Sequence, residues 1–407
     1  MTANGSSANE SSTNHYDVIV VGVGGMGSAA CYALAERGAR VLGLEQYDIP
    51  HAYGSSHGET RIIRLAYAEG AFYVPLLQRS YERWRRLERD FGETLLHITG
   101  GLDIGAADSA LLQGALHSCR EHDLPHELLT ATAAMARFPA LQLPPHFAAL
   151  HQPEGGFLRS ERCIVAHVTR AQAVGAEIRA REALLRWEAR GDSIHVKTTK
   201  GEYAAGHLVV TAGGWAGQLL PELAELARPE RQCLAWFQPL DLPLFLPERL
   251  PVWLLYGEGD EGNWYGFPVH GIPGFKLGKF RHLGEPMDLR DDSVARSDRE
   301  PNDARVPNAA RIPNATDEAL LRRFTEKYFP RAAGPTMSLK VCFFTNTPDE
   351  HFIIDTHPEH ANVIVAAGFS GHGFKFCSVV GETLADLALA GGSEWAVAEF
   401  GLGRFGL

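Results

Sequence analysis

Six cysteines in 407 residues, none in a C-x-x-C pair, are too few and too scattered for a disulfide framework. Cys31, Cys119, Cys163, Cys233, Cys342 and Cys377 therefore point to a reducing, cytoplasmic setting. Three histidines, His351, His357 and His360, follow Cys342, but no second cysteine stands at metal-ligand spacing, so no metal site is expected. No uninterrupted apolar run reaches the roughly 18 residues that a membrane helix needs. Dense basic runs are missing too, and the formal net charge is −11, which argues against nucleic-acid binding. The opening stretch MTANGSSANESSTNH has neither the basic nor the apolar region of a signal peptide, and residues 1–15 are expected to form a disordered tail. What is present is ordinary globular composition, 45% hydrophobic and 21% charged, in a chain long enough for two domains.

The most informative stretch is YDVIVVGVGGMGSAACYALAERGARVLGLEQY, Tyr16 to Tyr47. Val18–Val21 is a continuous apolar run, as in a parallel strand buried on both faces. Gly22, Gly24 and Gly27 follow in G-x-G-x-x-G spacing, then a helical pattern from Met26 to Glu36 that Gly38 stops. A second apolar run, Val41–Leu44, ends in Glu45. Each part has a physical role. Gly22 makes the tight turn, Gly24 lets the backbone approach a diphosphate, and Gly27 lets helix and strand pack closely. The helix N-terminus faces the phosphates, and Glu45 accepts from ribose hydroxyls. An acid at 45 would repel a 2′-phosphate, so NADP is disfavoured. FAD and NAD both remain open at this point.

Further along, a glycine-serine loop runs into an amphipathic helix from about Phe72. LLHITGGLDIG reads as two short strands around Gly100-Gly101, and Asp108 is placed to cap a helix over Ser109–His122. A hairpin turning at Lys200-Gly201 leads to a buried strand, His207–Thr211, that ends in Gly213-Gly214. Gln232 to Phe280 is mostly β. Pro-Asn recurs at Pro301, Pro307 and Pro313, and residues 296–317 read as an extended insertion. A helix over Glu318–Tyr328 follows. Asn362 to Gly391 is again strand, glycine turn and helix. The expected architecture is mixed α/β. A Rossmann-like nucleotide domain would be built from 16–94, 155–226 and 330–407, and an antiparallel β-sheet substrate domain from 95–154 and 227–329 would be threaded through it.

The segments DVIVVGVGGMGSAA, GSSHGETRIIRLAYAEG, TAGGWAGQLLPEL, TNTPDEHFIID and AAGFSGHGFKF together resemble the monomeric sarcosine oxidase and N-methyltryptophan oxidase family, nearly throughout the chain from Tyr16. The resemblance implies a glutathione-reductase-like, D-amino-acid-oxidase-like fold, with FAD as cofactor. It implies a thioether from Cys342 to the 8α-methyl group of the flavin, chemistry suited to a thiolate nucleophile. Arg64 and Lys375 are implied to clamp the substrate carboxylate, and Arg61 to lie against the flavin. His372 and Tyr265 are implied to stand beside the substrate, and Gly371, in the Gly-His-Gly turn, to contact the cofactor. Lys276 is implied to activate O2 near flavin N5 through a water. Sarcosine is then the expected substrate, giving glycine, formaldehyde and hydrogen peroxide in a monomeric enzyme. Other N-methyl amino acids, pipecolate and proline stand behind it.

The residues themselves leave alternatives. Arg61 and Arg64 lie among Ile62, Ile63 and Leu65, which disfavours a solvated face. His372 could be structural, and Lys276 an ordinary strand lysine. Phe280 and Phe344 depart from the family pattern, where some relatives carry histidine and tyrosine, and this bears on the exact amine. A NAD-dependent dehydrogenase would have no use for Cys342. A FAD-dependent dehydrogenase would pass electrons to an acceptor other than oxygen. A non-catalytic flavoprotein subunit could dispense with Arg64 and Lys375.

Overall fold

The computed structural model describes residues 15–290, 309–395 and 398–407. Three sheets organise them. The first is centred on His15–Val21, which runs parallel to Val41–Leu44 on one side and to Glu202–Val210 on the other. His360–Ala367 extends it in parallel along Leu208, Val209 and Val210, and Ile353–His357 closes that edge antiparallel. The hairpin strand Ser193–Thr198 and the strand His207–Thr211 expected from sequence are thus joined through one nine-residue strand, Glu202–Val210. On one edge its first residues pair with the hairpin and its last with His360–Ala367, and on the other edge it pairs with His15–Val21 from Ala204 to Val210. Helices Gly25–Glu36, Ser160–Ala173 and Cys377–Ala390 cover this sheet, and Ala29, Ala30, Cys163, Ala166, Val380 and Leu384 are buried in the shared core.

The second sheet has eight strands in the order 336–346, 228–237, 275–279, 263–267, 252–256, 101–106, 147–152 and 127–130. All neighbours are antiparallel except Val252–Tyr256 beside Gly101–Ala106. Period-two alternation sorts its side chains. Cys233, Ala235, Phe237, Phe275, Leu277, Trp253 and Trp264 form one core with Leu321, Phe324 and Tyr328 of the helix Ala315–Tyr328. The intervening residues Leu234, Trp236, Lys276, Tyr265, Phe267 and Cys342 fall on the opposite face. A small third sheet, Thr60–Ile63, Gly156–Arg159 and Leu96–Ile98, carries Arg61.

The two strands expected around Gly100-Gly101 both exist, and they belong to different sheets, so the glycine pair is a crossover. Several other expectations are corrected here. Ser109, not Asp108, is the N-cap of Ala110–Glu121. Thr336–Asn346 pairs with Arg228–Phe237 in the second sheet, although a domain boundary at 330 places it with the nucleotide fold. The tail expected over residues 1–15 lies outside the described residues apart from His15, which already belongs to a strand. The insertion at 296–317 lies outside them up to 308. Its last residues are built into the fold. Asn314 accepts from the N–H groups of Thr316 and Asp317, and Asp317 accepts from the N–H of Asn314. This capping box starts the helix at Ala315 rather than Glu318. Among the described residues no helix is long and apolar enough to cross a membrane.

Candidate active site

The first glycine turn lines an elongated cavity of about 290 Å³. Gly22 has φ +89°, and a Cβ there would meet the Thr211 carbonyl oxygen at 2.6 Å; a Cβ on Gly27 would fall 1.8 Å from the Gly22 carbonyl oxygen. Gly24 has nothing within 4 Å of its missing Cβ, so that side of the turn is open. Glu45 ends the second strand and lines the same cavity. Its Oε2 accepts the Val23 N–H at 2.9 Å and its Oε1 the Tyr47 N–H at 3.1 Å, while burial raises its pKa. The carboxylate therefore also ties the turn to the second strand. At the far end the lining includes Phe344, Thr345, Gly371 and Phe374. Thr345 Oγ1 is buried there with no hydrogen-bond partner. An open glycine turn, an acid lining the same cavity and an unsatisfied hydroxyl fit a dinucleotide such as FAD.

A second cavity, of about 50 Å³, adjoins the first. Arg61, Phe344, Gly371 and Phe374 line both. Gly371 has φ +79°, and a Cβ would sit 2.5 Å from the Phe344 ring, so only glycine lets that ring lie against the turn. Arg64, Lys375, His372, Tyr265 and Cys342 line the second cavity, so separate segments of the chain converge on it. Lys276 lines neither.

One end of this cavity is a buried charge network. Arg64 donates to both Glu69 carboxylate oxygens, at 3.1 and 2.9 Å, and to the Ala66 carbonyl. Its Nη1 lies 3.7 Å from Asp103, which in turn accepts from the Tyr256 hydroxyl at 2.5 Å. Burial alone would raise the Glu69 pKa, but Arg64, His372 and Lys375 outweigh it and bring it down to about 2. Lys375 Nζ donates to the His372 carbonyl at 2.7 Å and to the Tyr67 hydroxyl at 3.3 Å. Its carbonyl is fixed by Ser80 and Trp84 on the helix Tyr73–Phe91. His372 Nε2 lies 3.0 Å from the Glu350 carbonyl, which can only accept. Nε2 therefore carries the proton, and Nδ1 accepts from Tyr67 at 2.7 Å. Burial lowers the His372 pKa to about 4, so the ring is neutral at pH 7.

Burial, reinforced by Arg64, lowers the Lys375 pKa to about 7. The cation is present below that pH and lost above it. A simple carboxylate without an amine, such as propionate, is expected to bind the holoenzyme with constant affinity below pH 7. Its affinity should fall as the pH rises through 7, because binding must then take up a proton. Spectral titration checks this, and Lys375→Gln should flatten the dependence.

Lys276 is 3% exposed, in agreement with its apolar sequence neighbours. Its Nζ contacts the Gly58 carbonyl at 2.7 Å, and the Thr60 carbonyl and hydroxyl at 2.9 Å each. Burial and then Arg61 push its pKa well below the usual lysine range. Arg61 donates to the carbonyls of Thr60, Ser55 and His57. Cys342 packs with Leu234 and Trp236. Burial raises its pKa, and Arg61 and Lys276 pull it back. Cys377, which reads as a packing residue in the sequence, lines the larger cavity. Tyr67, Glu69, Asp103 and Tyr256 are the site residues that the sequence did not single out. Asp103 carried a usable signal, a carboxylate inside the apolar strand GLDIGA, which demands a buried partner.

The cluster Cys233, His282 and Asp317 has metal-ligand atoms within 4.8 Å of one another. Asp317 is already saturated there, by Arg231 at 2.7 Å on both oxygens, by His282 and by the Asn314 N–H. It serves to fasten the Ala315–Tyr328 helix to the second sheet.

Residues 17–387 match the family model described as FAD dependent oxidoreductase. The chain is 39% identical over 395 residues to a monomeric sarcosine oxidase of Bacillus sp. strain NS-129, covering 96% of this chain and 97% of that protein. It is 35% identical over 391 residues to N-methyl-L-tryptophan oxidase of Salmonella enteritidis PT4, covering 96% and 99%. Among solved structures, the open form of NikD, described as an unusual amino acid oxidase essential for nikkomycin biosynthesis, superposes with a TM-score of 0.79 at 25% identity, covering 96% of this chain and 98% of that one.

Proposed function

Because the chain belongs to the FAD-dependent oxidoreductase family that includes monomeric sarcosine oxidase and N-methyl-L-tryptophan oxidase, we propose that it oxidises the C–N bond of a secondary amino acid with O2. Sarcosine is the simplest such substrate and would yield glycine, formaldehyde and hydrogen peroxide. The observation that carries this reading is the junction of the two cavities at Arg61, Phe344, Gly371 and Phe374, with a dinucleotide cradle on one side and two buried cations on the other.

Bound FAD supplies a two-electron acceptor that oxygen can recharge. The chain supplies the rest. Arg64 and Lys375 bind the substrate carboxylate, and for this Glu69 gives up Arg64. Glu69 is the exchangeable partner because its side chain is 26% exposed, against 2% for Asp103. Asp103, fixed by Tyr256, stays behind Arg64 as its buried partner. The His372 carbonyl and the Tyr67 hydroxyl hold Lys375 in place, and the amine binds uncharged. Tyr265 and the aromatic wall exclude water from the carbon that is oxidised. Cys342 is the covalent anchor of the flavin. Lys276 is the oxygen-activating group.

The relative named monomeric sarcosine oxidase supports a monomeric enzyme. All six cysteines are buried and unpaired, which supports a cytoplasmic location. Incubating holoenzyme with sarcosine or N-methyl-L-alanine in air tests the function. Equimolar formaldehyde, primary amino acid (glycine or alanine) and hydrogen peroxide are expected. Oxygen consumption without a demethylated product would refute the reading.

A further inference from the structure

Resting on the amine-oxidase reading, we infer that Phe280 and Phe344 set the selectivity of the second cavity. It takes a secondary amino acid with a short apolar substituent at the α-carbon, such as N-methylalanine or a cyclic imino acid, in preference to sarcosine. The cavity is two-ended. Arg64, Lys375, Glu69 and His372 gather at one end. Arg61 stands at the junction with the larger cavity, the Tyr265 hydroxyl and the Cys342 thiol are the other polar groups of the lining, and Phe280 and Phe344 pair on its apolar part with ring centroids 5.9 Å apart.

Both rings are held rather than loose. The Phe280 N–H donates to the Asn263 carbonyl at 2.8 Å, and its ring meets Tyr265 edge-on at 5.0 Å. Phe344 pairs in register with Glu230 and is wedged against Gly371. A carboxylate fixed at the charged end therefore leaves the α-carbon and its substituent facing fixed aromatic surface. Sarcosine carries only hydrogens at its α-carbon and leaves that surface uncovered. A methyl group or a saturated ring covers it, and each methylene in such a pocket is worth roughly tenfold or more in kcat/KM.

The test measures kcat/KM of the holoenzyme for sarcosine, N-methyl-L-alanine, L-pipecolate and N-methyl-L-tryptophan. N-methylalanine or pipecolate should exceed sarcosine by roughly tenfold or more. In Phe280→Asn and Phe344→Asn the ratio of the apolar substrate to sarcosine should fall at least about fivefold, because a polar side chain removes the apolar wall. Phe280→Leu keeps the wall apolar and should keep most of the ratio. Bound flavin, read from the yellow absorbance, shows that each variant is folded. Sarcosine as the best substrate, or an unchanged ratio in both Asn variants, overturns the inference and leaves the oxidase reading intact. Failure of every member of the panel to reduce the flavin overturns both.

Discussion

Lys276→Met is expected to slow the oxygen half of the catalytic cycle by roughly a hundredfold or more, while amine oxidation changes only a few-fold. The first electron delivered to oxygen creates a negative charge, and a preorganised cation or N–H donor stabilises it. Methionine keeps the length and apolar stem of lysine but supplies neither. Lys276 is held by Gly58 and Thr60 and lines neither cavity, so its effect on oxygen is exerted at a distance or through a water. The same bonds define the competing outcome. If Lys276 only braces the 58–60 segment, its loss disturbs neighbouring Arg61, and both half-reactions slow together. Stopped-flow measurement of reduction by amine, and separately of reoxidation by oxygen, separates the two. Equal slowing removes Lys276 from its assigned role.

Cys342→Ser is expected to convert tightly retained flavin into flavin that acid releases completely. Of the six buried cysteines, Cys342 lines the smaller cavity and Cys377 the larger. These are the two thiols placed to meet a bound flavin. Cys342 has Arg61 and Lys276 to favour its thiolate, although burial still raises its pKa. For Cys377 burial raises the pKa beyond the thiol range, and the opposing contributions are minor. A serine hydroxyl at 342 stays protonated and does not substitute as a nucleophile. After acid precipitation, wild type and Cys377→Ser should give a yellow pellet, and Cys342→Ser a colourless one. A yellow Cys342→Ser pellet, or a colourless wild-type pellet, would refute the covalent anchor.

The sequence carried the nucleotide fold because its signals are local. A strand, three glycines, a helix and an acid occupy a single stretch, Val18 to Glu45, and each follows from short-range sterics. Lys276 was legible because a lysine between Phe275 and Leu277 has to be buried or used. The Arg64 network was less legible. Asp103 and Tyr256 reach Arg64 from two adjacent strands of the second sheet, and that adjacency exists only once Gly101–Ala106 pairs with Val252–Tyr256. That the strands flanking Gly100-Gly101 enter different sheets was not legible, for the same reason. A glycine pair between two apolar runs is locally identical whether the strands form a hairpin or leave for different sheets. The capping box at Asn314 was hidden by the Pro-Asn recurrence, which drew attention to spacing rather than to the Asp317 that answers Asn314.

The central claim is that electrons pass from an amine in the smaller cavity to a flavin in the larger one, and from there to oxygen. The most direct measurement mixes holoenzyme with N-methyl-L-alanine or sarcosine in the absence of oxygen and follows the yellow absorbance, then admits oxygen. The account predicts bleaching at a rate that saturates with amine concentration and, when excess amine is removed before oxygen is admitted, full return of colour with one hydrogen peroxide formed per flavin. Persistent colour with every secondary amino acid, or bleaching that oxygen does not reverse, would contradict it.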